Sequence, residues 1–193
     1  WLEACESVLE SLSLRYPSKI SDLRGIGISG QMHGSVLIDK NNDVIRPCML
    51  WNDTRSYSQA ERMDKSPPFR AISGNIVFPG FTAPKVSWVQ ENEPDNFKKI
   101  AKILLPKDYL RFWLTGDFVS EMSDAAGTSW FDLEKRSWSE ILLKLSGITI
   151  EQMPTLIEGS EVSGFLKSKF KTKWNISGDV MVVGGAGDNA AAA

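Results

Sequence analysis

The sequence predicts an α/β fold, and three stretches support that prediction. The apolar run Val180–Val183 is too short for a helix and is β-branched at three of its four positions, which indicates a strand buried on both faces. It leads through the glycine-rich loop Gly184–Gly187 into an acidic residue and a run of alanines, the order of strand, tight loop and helix start. Apolar residues recur at steps of three and four from Trp1 to Leu12, as in an amphipathic helix that ends before Pro17 and packs on a sheet.

Periodicity and turn residues place the remaining elements. We expect strands at 23–29, 35–38 and 44–50, the last two as a hairpin, then helices at 55–64, from Thr82, at Pro94, at 107–114 and at 138–145, with strands at 103–105 and 118–120. Ser137 and Glu140 form a capping-box pattern for the helix at 138–145, and Thr149 and Gln152 repeat it for one turn. The two prolines at 67–68 are expected to break the chain, and 167–177 to be a basic connector.

Composition and charge exclude several classes of function. The 193 residues form one domain or one large lobe, with enough chain to bury a core. The 22 basic and 24 acidic residues give a net charge of −2, and no basic run is interleaved with aromatic residues, so nucleic acid and anionic membranes are not expected partners. A small neutral substrate fits this balance better.

The cysteines and the single histidine exclude two further kinds of site. Cys5 and Cys48 lie far apart and His33 is the only histidine, so neither a disulfide framework nor a zinc site is encoded, and we expect a reducing, cytoplasmic compartment. No apolar run approaches the roughly 20 residues that span a bilayer, and no signal-like segment opens the chain. Because Trp1 already lies on a helical face and the last helix has made only its first turn when the chain stops at Ala193, we expect the chain to be truncated at both ends.

Asp188 is the candidate general base. It follows the glycine loop at the start of a helix, where the helix dipole favours an ionised carboxylate and where ligands bind at the edge of an α/β sheet. The competing hypothesis is that the residue only caps the helix, since Asp is a preferred N-cap residue. The loop has neither the Gly-Lys-Ser/Thr ending of a P-loop nor the Gly-x-Gly-x-x-Gly spacing, so no motif marks it as a nucleotide site.

Two further stretches are candidate ligand sites. Gln31, Met32 and His33 lie between two glycines at a strand end, where their side chains can face a cleft and hydrogen-bond a hydroxylated ligand; the alternative is a hairpin corner with a histidine satisfied by backbone. Trp51 and Asn52 follow the next strand, and an indole beside an amide is suited to the face and the hydroxyls of a sugar. The alternative is that Trp51 is a core residue and that Asp53 or Thr54 caps the following helix.

Several motifs together resemble one known family. The segment GFTAPKVSWVQEN at 80–92 fits, position for position, the signature of the FGGY family of carbohydrate kinases. Within the family, five stretches are similar to members that act on D-xylulose: SGQMHG at 29–34, LWND at 50–53, LPKDYLR at 105–111, MSDAAGT at 122–128 and GDNAA at 187–191. These motifs occur in the family's order and cover nearly the whole chain.

The resemblance implies a ribonuclease-H-like, actin-like ATPase fold, in which a mixed five-stranded sheet has helices on both faces. Residues 1–193 would be the N-terminal, sugar-binding lobe. The family's phosphate-gripping loop and its adenosine-binding C-terminal lobe have no counterpart in these residues, so we expect the fragment alone to be inactive.

The resemblance also implies a reaction and its residues. The γ-phosphoryl group of ATP, with Mg²⁺, would be transferred to the 5-hydroxyl of D-xylulose. Asp188 would correspond to the family's catalytic base and Met32–His33 to its sugar-contacting pair; Gln31, Trp51, Asn52 and Asn189 are the further sugar-binding candidates. No residue is assigned to ATP, and Mg²⁺ would arrive with ATP near Asp188. Other members of the superfamily have Arg-Glu in place of Met32–His33, so we expect this corner to determine which sugar binds.

Two other hypotheses stay open. The chain could belong to a kinase for another sugar or polyol, such as L-ribulose, glycerol or gluconate, or it could be a non-catalytic sugar-binding lobe that keeps the fold and the cleft. The expected partners are a small sugar and ATP, and homodimer formation is left open.

Overall fold

The computed structural model describes every residue from Trp1 to Ala193. The α-helices are α1 (Leu2–Arg15), α2 (Pro17–Ser21), α3 (Tyr57–Lys65), α4 (Pro67–Ser73), α5 (Thr82–Asn92), α6 (Pro94–Phe97), α7 (Pro106–Thr115), α8 (Met122–Ala125), α9 (Glu140–Leu145), α10 (Ser168–Lys173) and α11 (Asp188–Ala192). The strands are β1 (Gly25–Ile26), β2 (Ser29–Gly30), β3 (Val36–Ile38), β4 (Lys102–Leu104), β5 (Val119–Glu121), β6 (Phe131–Asp132), β7 (Ser137–Trp138), β8 (Thr155–Ile157), β9 (Val162–Phe165), β10 (Met181–Val183) and β11 (Ala186–Gly187). None of the helices combines the length and the apolar character needed to cross a membrane.

The central sheet places two loops side by side. Its strand order is β1–β10–β9, and β10 lies in the middle because it pairs in parallel with β1 and antiparallel with β9. The same two segments of chain meet again farther on, where β2 pairs in parallel with β11 through Ser29↔Ala186 and Gly30↔Gly187. Since parallel strands end at the same edge of a sheet, the corner after Gly30 and the helix start after Gly187 emerge next to each other.

Helices pack on strands through two main apolar clusters. The larger has 16 buried residues, among them Leu37 of β3, Val86 of α5 and Leu142 of α9. The second joins α7 and α10 to the central sheet through Leu114, Phe170 and Val180. The predicted mixture of helices packed on strands is confirmed.

The central sheet differs from the expected one in continuity and burial. The largest hydrogen-bonded ladder has three strands, and it is interrupted at Gly27–Ile28 and at Gly184–Gly185, so the strand pairs beyond those points form separate short ladders. The prediction that Val180–Val183 is buried on both faces is wrong. Val180 and Val182 are buried, but Met181 points away from the second cluster and is 43% exposed.

Several local predictions are confirmed. Helix α1 ends at Arg15, before Pro17, and prolines begin α6 and α7. The Thr149–Gln152 capping box is present, although it opens a single 3₁₀ turn.

Other local predictions are wrong because a neighbouring partner competes. The capping residue of α9 is Ser139, whose Oγ accepts from the Leu142 N–H, while Ser137 and Trp138 pair with β6. The two prolines at 67–68 begin α4, since proline is tolerated in the first turn of a helix. The expected connector at 167–177 contains α10. The expected hairpin at 35–50 is reduced to two isolated bridges, since β3 pairs mainly with β4.

Candidate active site

The corner after β2 holds a histidine in an unusual backbone conformation. His33 has a φ of 65°, in the left-handed region that costs a non-glycine residue about 1–3 kcal/mol. The following residue has to be glycine, because a Cβ at Gly34 would lie 2.5 Å from Pro106 Cγ and 3.2 Å from Cys48 Sγ. The turn is closed by the Gly34 N–H, which donates to the Met32 carbonyl at 2.8 Å. The surrounding structure therefore imposes this corner.

The hydrogen bond of the His33 ring identifies its tautomer. Nδ1 lies 2.9 Å from the Gly127 carbonyl oxygen, which can only accept, so Nδ1 carries the proton. Burial lowers the pKa of His33, although the Gly127 hydrogen bond and the charge of Asp188 act in the opposite direction. The neutral ring, packed 4.5 Å from the Phe81 ring, thus leaves Nε2 as a hydrogen-bond acceptor without a partner in the protein.

The glycine loop brings Asp188 to this corner. Gly187 is paired with Gly30 and lies so close to Met32 that a Cβ on it would be 2.8 Å from Met32 Cγ. Two residues later, in the first turn of α11, Asn189 Nδ2 lies 3.8 Å from Met32 Sδ. The candidate base and the Met32–His33 corner therefore belong to one continuous surface.

The Asp188 side chain faces solvent at the first position of α11. Its Oδ1 accepts the Asn189 N–H at 3.0 Å, so part of the capping hypothesis also holds, although the N-cap position itself is Gly187. The other carboxylate oxygen has no partner in the protein. This arrangement leaves a carboxylate free to accept a proton from a bound hydroxyl.

Trp51 lies at the rim of this surface. It is 58% exposed, so the alternative that it is a core residue is wrong. Its carbonyl oxygen packs against Gly80, where a Cβ would be only 2.5 Å away, and Gly80 precedes the Phe81 ring that contacts His33. Asn52 is exposed beside it. The indole is therefore available to a ligand.

Two other sequence predictions around the site have different outcomes. Neither Asp53 nor Thr54 caps α3, whose N-cap is Ser56; the Asp53 carboxylate binds the Arg55 side chain and backbone instead. Gln31 lines an apolar cavity of about 360 Å³ between α1 and α7. The structure thus groups Met32, His33, Asp188 and Asn189, with Trp51 and Asn52 at the rim, and separates Gln31 from them.

A buried charged cluster underlies both loops, and no sequence pattern assigns its members a role in the site. It consists of Lys107, Asp108 and Arg111 on α7, Glu121 at the end of β5 and Asp124 on α8, all at most 2% exposed. Lys107 Nζ lies 2.7 Å from Asp108, 2.8 Å from Asp124 and 3.4 Å from Glu121, and Arg111 pairs with Asp108. The sequence feature that indicates this cluster is the spacing of Lys107, Asp108 and Arg111 on one helix.

The charged cluster contacts the backbone of both site loops. Arg111 donates to the Gly184 carbonyl at 3.1 Å, and the Lys107 Cβ would lie 3.1 Å from a Cβ on Gly30. Asp124 Oδ1 would be 3.3 Å from a Cβ on Gly187. Burial raises the pKa of Asp124 to about 7, against the effect of Lys107, and the nearby Asp108 and Glu121 raise it further. The cluster therefore supports the strand ends that present His33 and Asp188.

Comparisons with known proteins identify the family. All residues from 1 to 193 match the model of the N-terminal domain of the FGGY family of carbohydrate kinases. The chain belongs to the FGGY family. It is 45% identical to the xylulose kinase of Escherichia coli (strain K12) over 194 aligned residues, which are 100% of this chain and 40% of that protein.

Solved structures agree on the fold of this FGGY domain. A structure named xyloylose kinase, from Brucella ovis, has a TM-score of 0.98 and 55% identity, covering 98% of this chain and 39% of the other. The gluconate kinase of Lactobacillus acidophilus has a TM-score of 0.90 at 22% identity over 98% of this chain and 38% of its own, a likeness in fold alone. The predicted ribonuclease-H-like, actin-like fold is confirmed. The chain spans about 40% of the length of the curated relatives it matches.

Proposed function

We propose that this chain is the sugar-binding lobe of an ATP-dependent kinase that converts D-xylulose to D-xylulose 5-phosphate. The observation that supports this most directly is the position of Asp188, an exposed carboxylate on the same surface as Met32 and His33. The proteins named xylulose kinase that resemble this chain over its full length support the choice of sugar.

Each side chain on this surface has a task in that reaction. Asp188 accepts the proton of the attacking 5-hydroxyl as the phosphoryl group moves, a role that needs positioning more than a strong base. His33 Nε2 accepts a hydrogen bond from another sugar hydroxyl, and the amides of Asn52 and Asn189 can both donate and accept. The Trp51 indole covers the apolar face of the sugar.

ATP and Mg²⁺ would supply the phosphoryl group and neutralise its charge. Mg²⁺ keeps most of its waters and takes one or two carboxylates together with phosphate oxygens, so the single exposed carboxylate of Asp188 fits one such ligand.

The remaining machinery would lie elsewhere in a longer polypeptide. Because the chain spans about 40% of its curated relatives, we place the phosphate-gripping loop and the adenosine-binding lobe in the other 60% or so. The isolated fragment should therefore neither bind ATP usefully nor turn over.

A coupled assay of ADP release by the complete polypeptide tests this proposal. D-xylulose should be the preferred substrate in a panel with L-ribulose, glycerol and gluconate. Preference for another sugar would support the alternative kinase, and sugar binding without ADP release for every sugar would support the non-catalytic lobe. The fragment comprising residues 1–193 is the control. D-xylulose-dependent ADP release by this fragment would contradict the proposal that ATP binding requires the rest of the polypeptide.

A further inference from the structure

The strained His33 corner is held mainly through its carbonyl group. That oxygen accepts two hydrogen bonds, from Lys85 Nζ at 3.0 Å and from Thr82 Oγ1 at 3.2 Å. Both donors lie in the first turns of α5, three residues apart and thus on one face of the helix. A histidine keeps a left-handed backbone conformation only where its surroundings fix it, so these two hydrogen bonds help to hold His33 in that conformation.

Lys85 also holds the opposite wall of the site. Its Nζ donates to the Gly80 carbonyl at 2.5 Å, and Gly80 packs on the carbonyl of Trp51. One ammonium group therefore joins the backbone that carries His33 to the backbone that carries Phe81 and supports Trp51. These are the two sides between which the sugar would lie.

The ammonium group of Lys85 is placed where a charge is costly. The side chain is fully buried, and no carboxylate lies within ion-pairing distance of it. Two backbone carbonyls are its hydrogen-bond partners. A methionine would fill a similar volume without the desolvation cost, but it would leave the Gly80 carbonyl without a donor and would break the link between Gly80 and His33.

We propose that Lys85 is a positioning residue for sugar recognition, acting as a clamp between the carbonyls of Gly80 and His33. This inference rests on the proposed function, which assigns His33 and Trp51 to the sugar. Lys85 does not touch substrate. It sets the distance and the orientation of the two groups that do.

The chain contains a matched control. Lys102 also donates to two backbone carbonyls, those of Glu151 at 2.6 Å and Met153 at 3.2 Å, but it lies away from the site. Lys85→Met and Lys102→Met therefore each remove an ammonium group that donates to two backbone carbonyls, the first at the site and the second away from it. Thr82→Val removes only the weaker donor to the His33 carbonyl.

The test measures KM for D-xylulose, KM for ATP, kcat and thermal stability in the complete polypeptide. Loss of a hydrogen bond from a charged group corresponds to a factor of roughly 10 to 100. Lys85→Met should raise KM for D-xylulose about 10-fold or more while KM for ATP and kcat change less than about threefold, with a smaller rise in Thr82→Val. Lys102→Met should leave KM for D-xylulose unchanged.

The pH profile of the wild type gives a second readout, which stays available even if a variant does not fold. Burial lowers the pKa of Lys85 to about 8, against the charges of Cys48 and Asp53. Of the neighbouring groups, the pKa of Cys48 is raised to about 11 and those of Asp53 and His33 are lowered. Loss of the Lys85 proton should thus raise KM for D-xylulose between about pH 7 and 9 in the wild type, and this rise should be absent in Lys85→Met.

The outcomes separate this inference from the proposed function. A wild-type polypeptide that fails to phosphorylate any sugar refutes the function. An active wild type in which Lys85→Met keeps its KM, or in which Lys102→Met raises KM equally, overturns the clamp. If Lys85→Met does not fold, a KM that stays flat from pH 7 to 9 in the wild type together with an unchanged Thr82→Val overturns it as well.

Discussion

Replacing Gly185 by alanine should destabilise the protein more than any other single-methyl change in the loop before Asp188. Gly185 has a φ of 75°, and a Cβ on it would lie 2.0 Å from the carbonyl oxygen of Ile28. A carbon and a carbonyl oxygen normally stay about 3.3 Å apart, so about 1.3 Å of overlap has to be relieved by moving backbone of the central sheet. A left-handed alanine adds about 1 kcal/mol or more.

The expected loss of stability from Gly185→Ala is roughly 2–5 kcal/mol, within the range of backbone-incompatible substitutions. At about 2–4 °C per kcal/mol for a domain of this size, the melting temperature should fall by roughly 4–20 °C. Calorimetry or circular dichroism of the complete polypeptide measures it. Gly27→Ala is the matched control, because its Cβ would meet only Val183 Cγ2 at 3.6 Å, an ordinary contact. Equal melting temperatures for the two variants would refute this reasoning.

Three further predictions concern the buried charged cluster and the histidine. Lys107→Met leaves Asp108, Glu121 and Asp124 with too little positive charge, so it should lower the free energy of unfolding by about 3–5 kcal/mol. Its control, Lys98→Met, removes an exposed ion pair with Asp95 and should lower the free energy of unfolding by less than about 1 kcal/mol. Similar losses in the two variants would show that the cluster is not electrostatically important. Burial raises the folded-state pKa of Asp124 to about 7, so the stability that this group contributes is full below the unfolded pKa of about 3.9 and is lost progressively as the pH rises to about 7. At about 1.4 kcal/mol per pH unit, Asp124→Asn should gain roughly 2–3 kcal/mol relative to the wild type between pH 5 and pH 8 in denaturant titrations. A constant difference would contradict the raised pKa. Protonated His33 cannot accept a hydrogen bond at Nε2, and burial lowers the pKa of His33. The Kd of D-xylulose should therefore rise in the wild type as the pH falls below the ordinary range of histidine, and it should vary less in His33→Gln. Identical pH profiles would remove His33 from sugar recognition.

Local sequence patterns predicted those elements whose partners are close in the chain. The capping box at Thr149 and Gln152 and the prolines that begin α6 and α7 depend on neighbours within one turn. Where two such patterns overlap, the sequence does not choose between them. Ser137 and Ser139 are both plausible caps, and the choice is made by β6, which pairs with Ser137.

Helix α10 was missed although it left a trace in the sequence. Phe170 and Trp174 are four residues apart and stack at 5.0 Å, but the lysines around them give the segment the composition of a soluble, basic connector. Their partner Leu114 lies on α7, distant in sequence. Burial of this face of α10 thus depends on tertiary contacts, which a local sequence pattern does not predict.

The site was predictable as a set of residues but not as an arrangement. Family motifs and the strand-loop-helix pattern pointed to Asp188, Met32 and His33, and the parallel pairing of β2 with β11 explains why they meet. The roles of Lys85 and Asp124 depend on backbone carbonyls and carboxylates contributed by distant segments. Such partners become visible only when the chain is folded.

The most direct test of the account is the turnover of Asp188→Asn in the complete polypeptide. Asparagine keeps the size and the Asn189 N–H acceptor of the aspartate but cannot take up a proton. The account predicts that kcat falls by about 10²-fold to 10⁴-fold while the Kd of D-xylulose changes less than about threefold. A variant that turns over D-xylulose at the wild-type rate would contradict the assignment of Asp188 as the base.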